Sequence, residues 1–589
     1  MLDEVDRAGG HATAQESHIS LRRAVAEVLV FVVYLLSLTW ALHRYAEFDL
    51  GDPHWRIVAI VVALSPAMFL YLLLRLLMGA LQAVGISVAA AALLIGINQT
   101  KTAYTGTPLA WGDIATTQNI SIVLAYLSWW KIILVVMVVV TAGAALALTC
   151  RRAFARGTLR GRAFTAGLLL MVAPVAFQPY LPDAWWNANY KMQTLFARHG
   201  IYYTTGDWRS NVTVNGLFVH LVQTSRRPMP PRPSEAEWNL LHAIPSTPPA
   251  ASPPKHVFFI LCEACWYDEN NFKDAFEPLR KLGFLPLRGI SPAYGGGTVN
   301  ASFEMLTAMP SHGALAGVVY QEYGLVMAPK TQTLASSLKV QGYETYALHN
   351  FTRTFWSRNI VLAKFGFDEF IGLEDMGYDG SGPFPRENIL YNRVLDILNR
   401  NPDGKAFFNL ETVYTHWPYP FNNDSGQGDY HGRLVKAIQD MGKFVEAVRV
   451  VSPDAVFMIY GDHKPALTKF FYERGVLPAD MFVSTGAKAE DFVFQRFLDS
   501  RVLGDVPVWI GSGSRESETL KKMQQLGQHK PFYCLSAIFD QLFLGSLNPA
   551  ARYAQRYICD QYDDNYLESA GKMPGWMYSA MLFHPDQVP

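Results

Sequence analysis

Five apolar runs fill most of the first 181 residues, approximately Ala24 to Leu42, Ile57 to Leu74, Leu77 to Ile97, Ile132 to Leu148 and Ala163 to Tyr180. At about 1.5 Å of rise per residue, helices of this length cross the hydrocarbon of a bilayer. This part of the chain is therefore expected to be a five-span α-helical membrane bundle, residues 1–181. Glu27 lies near one end of the first run, where its carboxylate can reach the interface or a neighbouring helix. Only Arg75 and Leu76 separate the second run from the third.

Positive charge orients the bundle, because Lys and Arg are retained on the cytoplasmic side. Arg22 and Arg23 precede the first run, Arg75 sits at the tight second turn, and Arg151, Arg152, Arg156, Arg160 and Arg162 lie between the fourth and fifth. All three clusters fall on one side. With the N-terminus inside, an odd number of crossings delivers everything after Tyr180 to the outer face. A cleavable signal peptide is the other reading of the first run, but no small-residue cleavage site flanks it.

Residues 182–255 read as a juxtamembrane segment and linker. Trp185, Trp186, Tyr190, Tyr202, Tyr203 and Trp208 are of the types that favour a membrane interface. Pro228 to Pro254 contains RPMPPRP and PSTPPAASPP, which favour extended chain over a packed core.

From His256 onward the pattern changes to short apolar runs between helical stretches. Val257–Cys262, Glu344–Leu348, Phe407–Leu410, Ala455–Tyr460 and Val506–Ile510 read as buried strands, and the alternation predicts an α/β domain with a largely parallel sheet over 256–589. Glu263, His349, His416, Asp462 and His463 all fall at or just after strand ends, the edge where open α/β sheets bind ligands.

Taken singly, each residue has a plain alternative. Glu263 follows VFFILC and is either a cation ligand or the polar residue that closes a strand. Asp462 and His463 in GDHKP combine a hard oxygen donor with an imidazole, a set suited to zinc or manganese. Thr298 ends GGGT and opens the helical NASFEMLTAM; it is either a nucleophile at a helix N-terminus or a simple cap. Together, GGGT and GDHKP read as two halves of a metal-assisted phosphoryl-transfer site with Thr298 as nucleophile.

Lys plus Arg number 50 and Asp plus Glu also 50, so no net positive field recommends nucleic acid as a partner. The five cysteines form no repeated CxxC pair of the structural zinc type. Cys534 and Cys559 are candidates to pair; Cys265 is a soft neighbour of the site, a disulfide partner of another cysteine or a buried thiol, and not a ligand.

Glu263, GGGTVNASFEMLTAMP, HNFTRTFWSRN, ETVYTHWPY and GDHKP occur in the order found in the lipoteichoic acid synthase-like phosphoglycerol transferases of the alkaline phosphatase and sulfatase superfamily, which the chain resembles over most of its length. KTAYTGTPLAWGDI, from Lys101, resembles that family's loop after its third span. The glycine-rich nucleophile segment is most similar to enzymes that decorate periplasmic glucans. The resemblance implies one divalent cation, manganese foremost with zinc or magnesium as alternatives, on Glu263, Thr298, Asp462 and His463. It implies a headgroup pocket at Trp356 and Arg358, His416 at the phosphate or at the entering and leaving oxygens, and His349 supporting the pocket.

Two departures stand out: Glu263 is followed by Ala264 and Cys265 where relatives carry serine, and His416 by Trp417 where they often carry a small residue. The implied activity is transfer of phosphoglycerol from phosphatidylglycerol to an envelope glycan through phosphothreonine, at the outer face of a bacterial inner membrane. A phosphatidylethanolamine donor is the nearest alternative, and a non-catalytic glycan-binding or export-complex protein the alternative of another class. Acceptor identity and oligomeric state are not legible in the sequence.

Overall fold

A computed structural model describes residues 25–51, 53–105, 108–115, 137, 143, 159–180, 208–225, 229–246, 253–315, 317–378, 380, 384–420, 425–484, 492–494, 500–513, 517–562 and 564–585. The chain divides into two units. The first comprises Met1–Lys101, Pro108–Trp111 and Ile120–Arg226, the second Thr102–Thr107, Gly112–Asn119 and Arg227–Pro589.

In the first unit, three helices among the described residues are long and apolar enough to cross a membrane: Val25–Tyr45, Ile57–Leu77 and Ala80–Thr102. They expose Val28, Leu29, Val33, Leu36 and Leu81, a surface that suits lipid better than water. Glu27 reaches the neighbouring helix, its carboxylate 2.7 Å from Arg75 Nη2. The helix Leu159–Ala176 covers much of the expected fifth span but ranks among the shorter apolar helices. It packs on Pro53–Leu77 and Phe177 meets Phe69 edge-on at 4.9 Å. The expected fourth span, most of the basic loop and the aromatic residues 185–203 lie outside the described residues.

The Pro-rich segment holds a helix where extended chain was expected. Ser234 and Glu237 form a reciprocal capping box that starts Glu235–Ala243, and Trp238 and Leu241 are buried in the core of the second unit. The signal was present in the sequence as S-x-x-E before an apolar pair, masked by the prolines on either side.

Among the described residues, the second unit is built on an eight-stranded sheet ordered β10-β2-β9-β6-β1-β5-β3-β4. The strands are β1 His256–Cys262, β2 Leu285–Ile290, β3 Glu344–His349, β4 Glu369–Ile371, β5 Ala406–Glu411, β6 Val456–Gly461, β9 Asp505–Ser512 and β10 Lys530–Pro531; β7 Phe482–Ser484 and β8 Phe492–Phe494 form a separate hairpin. β6, β1, β5, β3 and β4 are mutually parallel, whereas β9 runs antiparallel to both neighbours. β1, β5 and β6 are buried along their whole length, as strands covered on both faces must be. Phe258 stacks between Phe408 and Phe457 at 5.0 and 4.9 Å, tying these three strands together. The carboxyl ends of β6, β1, β5 and β3, adjacent in the sheet, thereby converge at one edge.

Candidate active site

That edge collects the reactive residues. Glu263 follows β1, His349 ends β3, Glu411 ends β5, and Asp462 and His463 follow β6. Glu263, Asp462 and His463 are buried, with potential donor atoms all within 4.8 Å of one another. His463 Nε2 lies 3.2 Å from Asp462 Oδ2 and 3.6 Å from Glu263 Oε1. Thr298 Oγ1 donates to Glu263 Oε2 at 3.1 Å. The four residues expected to surround a cation are thus brought together.

Thr298 begins the ten-residue helix Thr298–Thr307, and Gly297 precedes it at φ 87°. Gly295 and Gly296 also have positive φ. Glycine holds this backbone without a Cβ clash, so the chain can turn sharply and place the hydroxyl beside the helix's first amides.

Burial, and then the Asp462 charge, push the Glu263 carboxyl well above its ordinary range; burial likewise raises Asp462. Two buried carboxyls and an imidazole held this closely form an unfavourable set without a compensating charge. Asp462 Oδ2 and His463 Nε2 are buried with no hydrogen-bond partner. His463 Nδ1 meets the Lys464 carbonyl at 2.9 Å and must donate to it, leaving the Nε2 lone pair facing the carboxylates. Oxygen donors with one imidazole fit a divalent cation of the manganese or zinc type.

The loop carrying Glu263 is held on all sides. Glu263 N–H donates to Thr412 Oγ1 at 3.0 Å and Ala264 N–H to Asp462 Oδ1 at 2.7 Å. Thr415 Oγ1 donates to the Glu263 carbonyl, and Tyr430 Oη to the Ala264 carbonyl. Lys464 is buried and spends its ammonium on the carbonyls of Val502, Leu503 and Asp505, at 3.1, 3.0 and 2.7 Å, which steadies the loop of His463.

Arg358 departs from the expected phosphate clamp. Its Nε donates to Glu411 Oε2 at 2.6 Å and its Nη1 to the Phe355 carbonyl at 3.2 Å, so a two-donor grip that includes Nε is not available to a ligand. Glu411 also accepts from Ser302 Oγ at 2.6 Å and from Asn409 Nδ2 at 3.2 Å. Burial alone would raise the Glu411 carboxyl, but the Arg358 guanidinium outweighs it and holds the acid below its ordinary range. The sequence carried Glu411 within ETVYTHWPY, yet nothing local marked it as the partner of a residue 53 positions away.

His349 Nδ1 meets the Glu411 carbonyl at 2.9 Å, and its buried Nε2 has no partner. Burial, aided by Arg358, lowers its pKa to about 3. It is a neutral ring presenting a lone pair. His416 Nδ1 is bonded to the Trp417 carbonyl, and burial lowers its pKa to about 4. Phe351 and Phe384 connect the two histidines: Phe351 lies 6.1 Å from His349 and 6.1 Å from Phe384, and Phe384 lies 4.9 Å from His416. Phe351 also packs on Phe355, which in turn packs on the half-buried Trp356. Trp356 and Ser357 are both left-handed, at φ 57° and 56°, a conformation costing about 1 kcal/mol or more per non-glycine residue. Strain of this kind clusters where a binding wall must be held in one shape.

Residues 289–489 match the Sulfatase family model, a stretch that includes every site residue above except Glu263. The chain is 24% identical over 332 residues to a putative cyclic beta-1,2-glucan modification protein of Rhizobium meliloti, covering 51% of this chain and 49% of that protein. It is 27% identical over 140 residues to a lipoteichoic acid synthase of Staphylococcus saprophyticus, covering 21% of each. The chain spans about half the length, or less, of the curated relatives it matches. Among solved structures, the Streptococcus pyogenes phosphoglycerol transferase GacH aligns with a TM-score of 0.42 and 15% identity, over 60% of this chain and 95% of that one.

Proposed function

We propose that this chain, which carries a sulfatase-family domain, transfers phosphoglycerol from phosphatidylglycerol to a hydroxyl of an envelope glycan through a phosphothreonine at Thr298. The observation that carries the reading is the Thr298 hydroxyl, 3.1 Å from Glu263 Oε2, at a helix N-terminus beside Asp462 and His463. Glu263, Asp462 and His463, with Thr298, would hold the divalent cation. When bound, such a cation neutralises phosphoryl oxygens and eases loss of a proton from a neighbouring hydroxyl.

The chain's own residues then divide the work. Glu263 accepts the Thr298 hydrogen bond and so orients Oγ1 toward phosphorus, while the first amides of its helix face the phosphoryl oxygens. In the first half-reaction the Thr298 Oγ1–P bond forms as the P–O bond to diacylglycerol breaks. The proton lost by Thr298 is regained by the departing diacylglycerol oxygen. In the second, the acceptor hydroxyl oxygen bonds to phosphorus as the Oγ1–P bond breaks, and its proton returns to Thr298. His416, with Nδ1 committed to a carbonyl, is the group suited to carry that proton at Nε2.

His349 bears on the donor. A neutral ring whose Nε2 is an acceptor binds a hydroxyl and gives nothing to a phosphate oxyanion. The neighbouring Glu411 carboxylate is already neutralised by Arg358, so this end of the pocket suits glycerol better than an ammonium headgroup. Trp356, with Phe351 and Phe384, forms the apolar wall.

The disulfides Cys262–Cys265 and Cys534–Cys559 fit an oxidising compartment. The apolar helices fit an anchor in the bacterial inner membrane, with the catalytic domain outside and its insoluble donor at hand. The test is release of diacylglycerol from labelled phosphatidylglycerol vesicles by the full-length protein with manganese. Release that disappears in Thr298→Ala supports the reading. Equal release by both proteins refutes it, and release only from phosphatidylethanolamine vesicles replaces the donor.

A further inference from the structure

The loop that bears Glu263 is closed by a covalent bond. Cys262, the last residue of β1, is joined to Cys265, so that Glu263 and Ala264 are the two residues enclosed by the bridge. Both cysteines are buried, as is Trp266 next along the chain. Ala264 takes a left-handed conformation at φ 50°, unfavourable for a residue with a Cβ and maintained only where the surroundings impose it.

The hydrogen bonds around this loop act on its main chain, through Thr412, Thr415, Tyr430 and Asp462. The Glu263 side chain itself accepts from the Thr298 hydroxyl at Oε2 and, 3.6 Å from His463 Nε2 at Oε1, faces a second buried carboxyl, Asp462. Repulsion there favours any rearrangement that swings Glu263 away. A four-residue covalent ring resists the part of it that needs main-chain movement, because the Glu263 Cα can shift away only if the ring opens or the carboxyl end of β1 moves. The ring is also seated on the other half of the site: Cys262 is in register with Gly461, and the Cys265 carbonyl lies over that glycine, immediately before Asp462.

We propose that the Cys262–Cys265 bond is a positioning element of the cation site, fixing Glu263 against Asp462 and His463 so that the cation enters a preformed set of donors. The inference rests on the cation-site reading above. Cys534–Cys559 is its natural control, since that bond joins the helix Phe532–Phe539 to the turn Cys559–Gln561, neither of which contributes a site residue.

The experiment measures manganese binding by titration calorimetry, together with thermal midpoints, in the detergent-solubilised full-length protein. Wild type is compared with Cys262→Ser/Cys265→Ser, with Cys262→Ala/Cys265→Ala and with Cys534→Ser/Cys559→Ser. Loss of a group that orients a ligand typically weakens a metal about 10- to 100-fold. Both site pairs are expected to bind manganese at least about tenfold more weakly, with diacylglycerol release partly restored by excess manganese. The control pair is expected to lower the midpoint with little change in affinity. Manganese affinity within about twofold of wild type in a folded site pair overturns the inference. So does failure of both site pairs to fold, which would make the bond a general stabiliser. Absence of binding to wild type itself instead refutes the cation-site reading on which the inference rests.

Discussion

Cys262 and Gly461 sit side by side on β1 and β6, and a Cβ built on Gly461 would lie 2.0 Å from the Cys265 carbonyl oxygen. The loops that carry Glu263 and Asp462 are therefore packed backbone to backbone, with no room for a methyl group. Gly461→Ala must push the Cys262–Cys265 turn away from Asp462. Overpacking of this kind costs about 1 to 3 kcal/mol. The expected result is a lower thermal midpoint together with weaker manganese binding, and unchanged binding in the variant would show that the loops move independently.

The pair Arg358–Glu411 supports a second prediction. Both side chains are almost fully buried, at 1% and 2% exposure, and removing one partner strands the other's charge, at a cost of about 3 to 5 kcal/mol. Glu411→Gln is expected to lose stability on that scale in urea unfolding. Turnover should fall as well, because an uncompensated Arg358 disturbs the strand end whose main-chain carbonyl orients His349. A loss below about 1 kcal/mol would mean that Arg358 finds another partner or solvent.

His349 gives a pH dependence with a defined sign. Its folded pKa of about 3 lies below the ordinary histidine value of 6.5, so between those values the unfolded chain binds a proton that the folded one refuses. Stability attributable to this group therefore falls as pH drops through that window, by about 1.4 kcal/mol per pH unit; above it the ring is neutral in both states. His349→Gln is expected to show a shallower decline between pH 6 and 4 than wild type. Parallel declines would place the proton elsewhere.

Cation binding should be visible without turnover. Glu263, Asp462 and His463 form a buried cluster whose crowded acids a bound cation would relieve only in the folded state. Manganese added to chelator-treated protein should raise the thermal midpoint, with about 2.7 kcal/mol gained at a hundred times the dissociation constant. Asp462→Asn should show little of that rise. An equal rise in the variant would locate the cation at another site.

Much of the α/β half was legible because buried parallel strands read as unbroken apolar runs, and the candidate site residues follow them directly. VFFILC before Glu263 and VFMIYG before Asp462 are of this kind. β2, with Pro286, Arg288 and Gly289, and the two-residue β10 carry no such run, and both lie toward one edge of the sheet. The antiparallel course of β9 depends on tertiary pairing that no local pattern encodes. Around the candidate site, Thr298 and GDHKP lie in local patterns that the sequence displays, whereas the Arg358–Glu411 pair and the ring contacts from Phe351 to Phe384 depend on distant segments meeting. The disulfide at Cys262 was one of several fates open to Cys265; the structure selects it by bringing the two ends of a tight turn together.

The most direct test of the account is intact-protein mass spectrometry after incubating the purified protein with manganese and phosphatidylglycerol, with no acceptor present. The account predicts a mass increase of one glycerol phosphate, carried by wild type, localised to Thr298 on digestion and missing from Thr298→Ala. An adduct on another residue, or diacylglycerol release undiminished in Thr298→Ala, would contradict it.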